Sequence, residues 1–222
     1  MSYSKSNFFR RAVGRWIGVS ILSWAAGVAH ADYGLAAKAY AAGDFTTAID
    51  EYRQLAGDGD IRAQYDLGIM LINGEGNSVD YPAAAKWFGA AANQGHEAAQ
   101  YNMGVFALKG IGIPQDFFVA FRWFSAVAGP TQPSASYNLA LLYEQGKGTA
   151  VAADKARRWY QVAAEAGHRE AMYSLGQVFY EGVGGKADVQ QALSWFQRAA
   201  GSNELLNWVR RRRSTTWQDF II

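Results

Sequence analysis

Residues 65–88 read YDLGIMLINGEGNSVDYPAAAKWF, and the pattern returns three more times at intervals of 36 residues in a chain of 222. The tyrosine that opens it marks the period, at Tyr65, Tyr101, Tyr137 and Tyr173. Further columns keep the same register: Ala63, Ala99, Ala135, Ala171; Ala84, Ala120, Ala156, Ala192; Trp87, Trp123, Trp159, Trp195; and a Gly-x-Gly pair starting at Gly74, Gly110, Gly146, Gly182. Columns that stay in step over four copies predict a repeat protein.

Each copy is predicted to form two helices. In the first copy, Ala63, Leu67, Gly68 and Leu71 lie on one face of a helix over about 62–72. The Gly-x-Gly segment then ends that helix, because glycine adopts positive φ at a helix C-terminus without a Cβ clash. The period therefore predicts an all-α solenoid of helical hairpins.

The second helix of the first copy is predicted over about 81–94, with Asp80 as its N-cap. Asp116 and Asp188 hold the same position in copies two and four, whereas copy three has Ala152, so a shifted start near Asp154 is expected there. The tryptophans are expected to lie in the core with Phe88 and the alanines, and a Trp123→Ala substitution is expected to destabilise the fold strongly.

Units that differ from the repeats flank them. Residues 33–60 contain AAKAYAAGDFTTAIDEYRQLA, the pattern of a tetratricopeptide hairpin, and residues 203–212 predict a closing helix. The expected organisation is a signal peptide at 1–31, a tetratricopeptide-like hairpin at 32–60, repeats at 61–96, 97–132, 133–168 and 169–204, and a capping helix with a basic and apolar tail at 205–222.

The repeats YDLGIMLINGEG, YNMGVFALKGIG, YNLALLYEQGKG and YSLGQVFYEGVG, each followed by an aromatic pair and alanines, resemble the Sel1-like repeat (SLR) family, a relative of the tetratricopeptide repeat. The resemblance implies an α/α superhelix with a concave partner-binding surface, in secreted or periplasmic adaptors and regulators of envelope signalling, polysaccharide secretion or host contact. An alternative is the penicillin-linked branch of cell-wall enzymes or ligand-binding proteins. That branch is stapled by disulfides, and this chain has no cysteine.

The first residues predict export. Four basic residues precede an apolar run at 16–28, and Ala29-His30-Ala31 follows it as a peptidase site before Asp32. The run is too short to span a bilayer of about 30 Å. The expected location is therefore periplasmic or extracellular, although retention of the segment as an anchor stays open.

Composition argues against several function classes. The absence of cysteine removes thiolate metal sites and thiol nucleophiles. His96 and His168 lie in the same turn of two repeats, which predicts a structural role, and no nucleophile motif accompanies them. Residues 32–209 hold thirteen Lys or Arg against eighteen Asp or Glu, a net charge of −5 that disfavours nucleic-acid binding. The expectation is a monomeric, non-catalytic protein-binding scaffold without metal or cofactor.

The residues that turn away from the partner helix form the predicted binding surface. Tyrosines alternate with a polar column, so the predicted partner-binding residues on the concave face are Tyr65, Asp66, Tyr101, Asn102, Tyr137, Asn138, Tyr173 and Gln177. Residues that vary between copies, such as Gln64, Gln100 and Met172, are further candidates for specificity. The alternative is that the tyrosines pack between adjacent repeats as part of the scaffold.

The tail combines four arginines with an apolar end. Binding of an acidic polymer, an anionic lipid or a partner domain is predicted for Arg210, Arg211, Arg212, Arg213 and Trp217. The alternative is a solvated helix end that folds back as a cover.

Overall fold

A computed structural model describes residues 32–211, and the side chains of residues 32–201. This part of the chain contains helices and no strand, apart from one isolated bridge between Gly129 and Gln132. The helices are α1 Tyr33–Ala41, α2 Phe45–Gly57, α3 Ile61–Asn73, α4 Tyr81–Asn93, α5 Glu97–Lys109, α6 Phe117–Val127, α7 Pro133–Gln145, α8 Ala153–Glu165, α9 Arg169–Glu181 and α10 Val189–Arg211. The all-α repeat fold is therefore as the sequence predicts. The export signal lies outside the described residues.

The helices pack in sequence order. Each helix makes its main contacts with the helix before it and the helix after it, from α1 to α10. In each inner repeat an odd-numbered helix, here called the A helix, precedes an even-numbered B helix. Gly201, with φ 68° and ψ 167°, interrupts α10, so the residues after it form a separate helical segment. This segment overlaps the closing helix predicted at 203–212.

One aromatic ring of each B helix fills the hairpin core. Phe88, Phe124 and Tyr160 are buried, and each follows a tryptophan of the repeat. A Cβ atom placed on Gly68, Gly104 or Gly176 would lie 2.6 Å from the aromatic Cε1 of the same hairpin. The third copy has Ala140 there and Tyr160 as its aromatic. The small residue on the A helix therefore makes room for the ring on the B helix.

The tryptophans contribute less to the core than the sequence predicts. Trp195 is buried, but Trp87, Trp123 and Trp159 are only partly buried. Adjacent helical residues point about 100° apart, so Trp and the following aromatic residue cannot both point at the A helix. The following aromatic does so, and the tryptophan lies at the side of the hairpin.

Asp N-caps start three of the B helices as predicted. Asp80, Asp116 and Asp188 accept hydrogen bonds from backbone N–H groups of their first turns at 2.9–3.0 Å. The shifted start predicted for copy three is wrong. Ala152 takes the N-cap position without a side-chain bond, and α8 begins at Ala153 in register with the other copies. Inter-repeat packing therefore sets this boundary even where the cap is missing.

The Gly-x-Gly loop of each repeat connects its two helices and packs against the preceding hairpin. The first glycine of each pair is the left-handed C-cap of an A helix, as at Gly74 with φ 71°. The second lies against the start of the preceding B helix, since a Cβ on Gly76 would lie 2.6 Å from the Phe45 carbonyl oxygen. Gly112, Gly148 and Gly184 meet the carbonyls of Tyr81, Phe117 and Ala153 in the same way. Both glycines are thus required for backbone reasons.

None of the helices between residues 32 and 211 combines the length and apolar character needed to cross a membrane.

Candidate functional site

The tyrosine column rests on the aromatic core. The four rings pack at an angle against the B-helix aromatics, with centroid distances of 5.7 Å for Tyr65 on Phe88, 5.9 Å for Tyr101 on Phe124, 5.8 Å for Tyr137 on Tyr160 and 5.4 Å for Tyr173 on Phe196. The first three tyrosines are half-buried, and Tyr173 is 40% exposed. Each tyrosine ring therefore packs on an aromatic ring of the B helix and still exposes part of its surface to solvent.

Two of these tyrosines also contact the residue that caps the A helix of the next repeat. Tyr65 stacks on His96 with centroids 4.4 Å apart, and Tyr137 stacks on His168 at 4.7 Å. Each histidine is the N-cap of an A helix and accepts a backbone N–H at Nδ1, from Ala99 or Ala171, at 3.3 Å. The structural role predicted for these histidines is confirmed. The packing between repeats that was the alternative for the tyrosines is thus present at Tyr65 and Tyr137.

The polar column beside the tyrosines is partly engaged within the chain. Asp66 accepts a 2.6 Å hydrogen bond from the Tyr33 hydroxyl, and the Arg62 guanidinium lies 4.1 Å from the centroid of the Tyr33 ring. Asn138 donates through Nδ2 to the Ser134 carbonyl at 3.0 Å. Burial raises the pKa of Asp66 above its usual 3.8, although the Tyr33 hydroxyl and the nearby His96 and Arg62 oppose the rise. Ionised Asp66 is therefore poorly solvated in the folded chain.

The burial of Asp66 predicts that the free energy of unfolding depends on pH. The folded state binds the Asp66 proton more tightly than the unfolded state does. Protonation of Asp66 therefore stabilises the fold fully below pH 3.8, and this stabilisation is lost as the pH rises through the raised pKa of the folded state. Asp66→Asn cannot ionise and retains an oxygen for the Tyr33 hydroxyl. We expect its unfolding free energy to rise relative to the unsubstituted chain between acidic and neutral pH, measured by urea titration at each pH.

The control for this prediction is Asp50→Asn, at an exposed carboxylate that accepts a hydrogen bond from Arg53 on its own helix. It should not reproduce the rise. A difference between Asp66→Asn and the unsubstituted chain that stays constant with pH, or falls as the pH rises, would contradict the assigned burial cost.

One candidate for specificity is not available to a partner. Gln64 is buried, donates through Nε2 to the Ala56 carbonyl at 3.1 Å, and accepts from Gln94 at 2.8 Å. Gln100 makes the equivalent bond to the Ala92 carbonyl at 3.0 Å. These amides close the end of the preceding B helix, so the prediction of a specificity role for Gln64 is wrong. A glutamine bonded to a carbonyl eight residues earlier cannot be distinguished from a free one by sequence.

A cleft between the last two repeats contains residues that the sequence analysis did not select. Its volume is about 270 Å³, and its polar lining consists of Glu144, Tyr160, Ser174, Gln177 and Glu181. Among the predicted partner-binding residues it includes only Gln177. The available signal was the departure of Glu144, Tyr160 and Gln177 from their columns; Tyr160, for example, replaces the phenylalanine of the other copies.

The predicted tail site lies outside the residues whose side chains are described. Arg210 and Arg211 end α10, but their side chains lie outside the described set, as do Arg212, Arg213 and Trp217 altogether. Across the described residues, no three His, Asp or Glu side chains gather in a group that could hold a metal ion.

Sequence comparison identifies the repeat. The Sel1 repeat profile matches residues 61–96, 97–126, 133–168 and 169–203, well over half of the chain. The chain belongs to the Sel1 repeat family. The second match stops near the end of α6 at Val127, where the 129–132 turn replaces the Gly-His turn of the neighbouring repeats. No curated protein matches the chain.

Solved structures agree with this assignment. A protective antigen of uropathogenic Escherichia coli strains that displays an SLR fold aligns with a TM-score of 0.71 at 25% identity, over 84% of this chain and 43% of its own. A Sel1 repeat protein from Oxalobacter formigenes aligns with a TM-score of 0.67 at 29% identity, over 73% and 68%. This chain thus spans less than half the length of the first. Sel1 repeat proteins are generally non-catalytic scaffolds for protein–protein interaction.

Proposed function

We propose that this Sel1 repeat protein is an exported, monomeric scaffold that binds a protein partner along the tyrosine surface, defined as Tyr65, Asp66, Tyr101, Asn102, Tyr137, Asn138, Tyr173 and Gln177. The observation that carries the proposal is that each tyrosine ring is supported by a core aromatic yet retains exposed area. Its proposed setting is the periplasm or the extracellular space, in an envelope-signalling, polysaccharide-secretion or host-contact system.

The support beneath the rings favours binding because it restricts them in advance. A tyrosine has few rotatable bonds, and the contacts with Phe88, Phe124, Tyr160 and Phe196 already restrict its orientation. A partner that covers these rings therefore loses little side-chain entropy on binding. The 36-residue spacing repeats the same contact along the solenoid, which suits an extended peptide or a helix.

The experiment compares two double variants. Tyr101→Ala with Tyr137→Ala removes the exposed rings and their packing, whereas Tyr101→Phe with Tyr137→Phe removes only the hydroxyl groups. We expect the alanine pair to lose capture of the partner from envelope extract, and the phenylalanine pair to retain most of it. Thermal unfolding of both variants separates loss of binding from loss of fold.

The matched surface control is Phe118→Ala on the B helix α6, where the phenylalanine is 59% exposed. This change removes an exposed aromatic side chain from a different part of the repeat and should leave capture intact. Equal capture by the folded alanine pair and the unsubstituted chain would refute the tyrosine surface as the binding site.

A further inference from the structure

The cleft between the third and fourth repeats lies beside the tyrosine surface. Leu141 on α7 is one helical turn beyond Tyr137, and Gln177 on α9 is one turn beyond Tyr173, and both line the cleft. Glu144 and Glu181 provide carboxylates from two different helices, and Leu141 and Val178 provide apolar wall. The cleft therefore extends the proposed binding surface with a different chemistry.

Three of its polar groups depart from the repeat. Tyr160 occupies the column of Phe88, Phe124 and Phe196. Glu144 stands where copies one and two have Ile72 and Leu108, and Gln177 stands where the other copies have Ile69, Val105 and Leu141. Glu144 and Gln177 are exposed, and the apolar residues at these positions in the other copies are only partly buried, so the changes gather polar groups at the surface of one cleft. Such a local departure from the repeat consensus indicates a site.

Tyr160 positions one of the carboxylates. Its ring is buried at 1% exposure, and its hydroxyl donates a 2.8 Å hydrogen bond to Glu144 Oε2. Burial and the neighbouring Glu144 carboxylate raise the pKa of the Tyr160 hydroxyl, which keeps it a proton donor. One oxygen of Glu144 is thereby held in place, and the other remains for a ligand.

The charge of the cleft is uncompensated by its lining. Among residues 32–201, no lysine or arginine lines it, and neither Glu144 nor Glu181 belongs to an ion pair. The groups that it offers are mainly acceptors: two carboxylates, the Gln177 amide oxygen and the Ser174 hydroxyl oxygen. A complementary ligand is a cation with several N–H donors.

An arginine side chain fits these features better than a lysine side chain. A planar guanidinium has five donors, which can reach carboxylates on two sides, and it sheds water more readily than an ammonium group. Its methylene groups can contact Leu141 and Val178. The location beside Tyr137 and Tyr173 places this side chain on a segment that also covers the tyrosines.

We propose that the cleft formed by α7, α8 and α9 binds an arginine side chain of the partner protein, an assignment that rests on the proposed function and adds the chemical identity of one contact. Glu144 and Glu181 bind the guanidinium, Gln177 and Ser174 accept further donors, and Tyr160 is a positioning residue that acts through Glu144.

The test uses the full chain and two blocked tripeptides, acetyl-Gly-Arg-Gly-amide and its citrulline counterpart, which has nearly the same shape but no charge. In NMR titrations we expect the arginine peptide to bind about tenfold more tightly than the citrulline peptide, with amide shifts at residues 144, 174, 177 and 181. Glu144→Gln and Glu181→Gln should each remove most of this discrimination.

Two further variants complete the design. Tyr160→Phe restores the aromatic of the other repeats and should reduce the discrimination between the peptides without loss of fold. Glu165→Gln removes the same charge from α8 at an exposed carboxylate that does not line the cleft, and should leave the discrimination unchanged.

Equal binding of the two peptides, or arginine-specific shifts elsewhere, would overturn the assignment. A variant in which Arg210, Arg211, Arg212 and Arg213 are replaced by glutamine tests the other source of guanidinium groups, because a severalfold gain in peptide affinity would assign the cleft to the chain's own tail instead. If the peptides do not discriminate but the Tyr101 and Tyr137 alanine pair still loses its partner, the cleft assignment fails and the proposed function stands.

Discussion

A Phe124→Ala substitution is expected to lower the free energy of unfolding by about 3–5 kcal/mol. Phe124 is 0% exposed, and its ring lies over Gly104 and supports Tyr101 at a centroid distance of 5.9 Å. Its removal leaves a cavity between α5 and α6, which glycine on the facing helix cannot fill. Because each repeat is held only by its neighbours, loss in an inner repeat weakens both adjacent interfaces. Urea denaturation followed by circular dichroism measures the change.

The adjacent tryptophan provides the matched control. Trp123 is larger than Phe124 but only partly buried, so Trp123→Ala is expected to cost less, ~0.5–3 kcal/mol. The sequence alone favoured Trp123 as the position of large loss. A greater loss for Trp123→Ala than for Phe124→Ala would contradict the core described here.

The second large effect is expected for Gly76→Ala. Gly76 has a φ of 71°, which costs an alanine roughly 1–2 kcal/mol. The added Cβ would also lie 2.6 Å from the Phe45 carbonyl oxygen and 2.9 Å from its carbon. Backbone cannot rotate away as a side chain can, so the loop must separate from α2 at a further cost of about 1–3 kcal/mol. Chemical denaturation should therefore show a loss well above the conformational cost alone.

Gly43→Ala isolates the conformational part of that loss. Gly43 has a similar φ of 76°, but nothing lies within 4 Å of the position that its Cβ would occupy. The difference between the two variants then measures how closely the Gly-x-Gly loop approaches the preceding B helix. Equal losses would show that the loop is not held against α2.

The sequence predicted the fold well because the repeat averages over local exceptions. The five columns predicted hairpins, and the aspartate caps and glycine ends placed most helix boundaries. The start of α8 was predicted wrongly because Ala152 lacks the side chain that caps the other B helices. Packing against the neighbouring repeats, and not this cap, determines where α8 begins. Trp123 was misread because two adjacent aromatics both fit a helical stripe, and only the facing Gly104 determines which one is buried.

The candidate binding site was harder to predict from the sequence than the fold. Periodicity identified the tyrosine column, but the same period arises whether a ring serves the scaffold or a partner. The structure shows contacts of the first kind, with His96 and His168, together with the exposed area that the second requires. The cleft was missed because its members were compared along single columns, whereas Glu144, Tyr160 and Gln177 become neighbours only when three helices come together.

The most direct test of the account is the dissociation constant of the captured partner, measured by calorimetry for the unsubstituted chain, the Tyr101 and Tyr137 alanine pair, and the matching phenylalanine pair. The tyrosine surface predicts that the alanine pair weakens binding by more than about tenfold while the phenylalanine pair remains within about threefold of the unsubstituted chain. A dissociation constant unchanged in a folded alanine pair would contradict it.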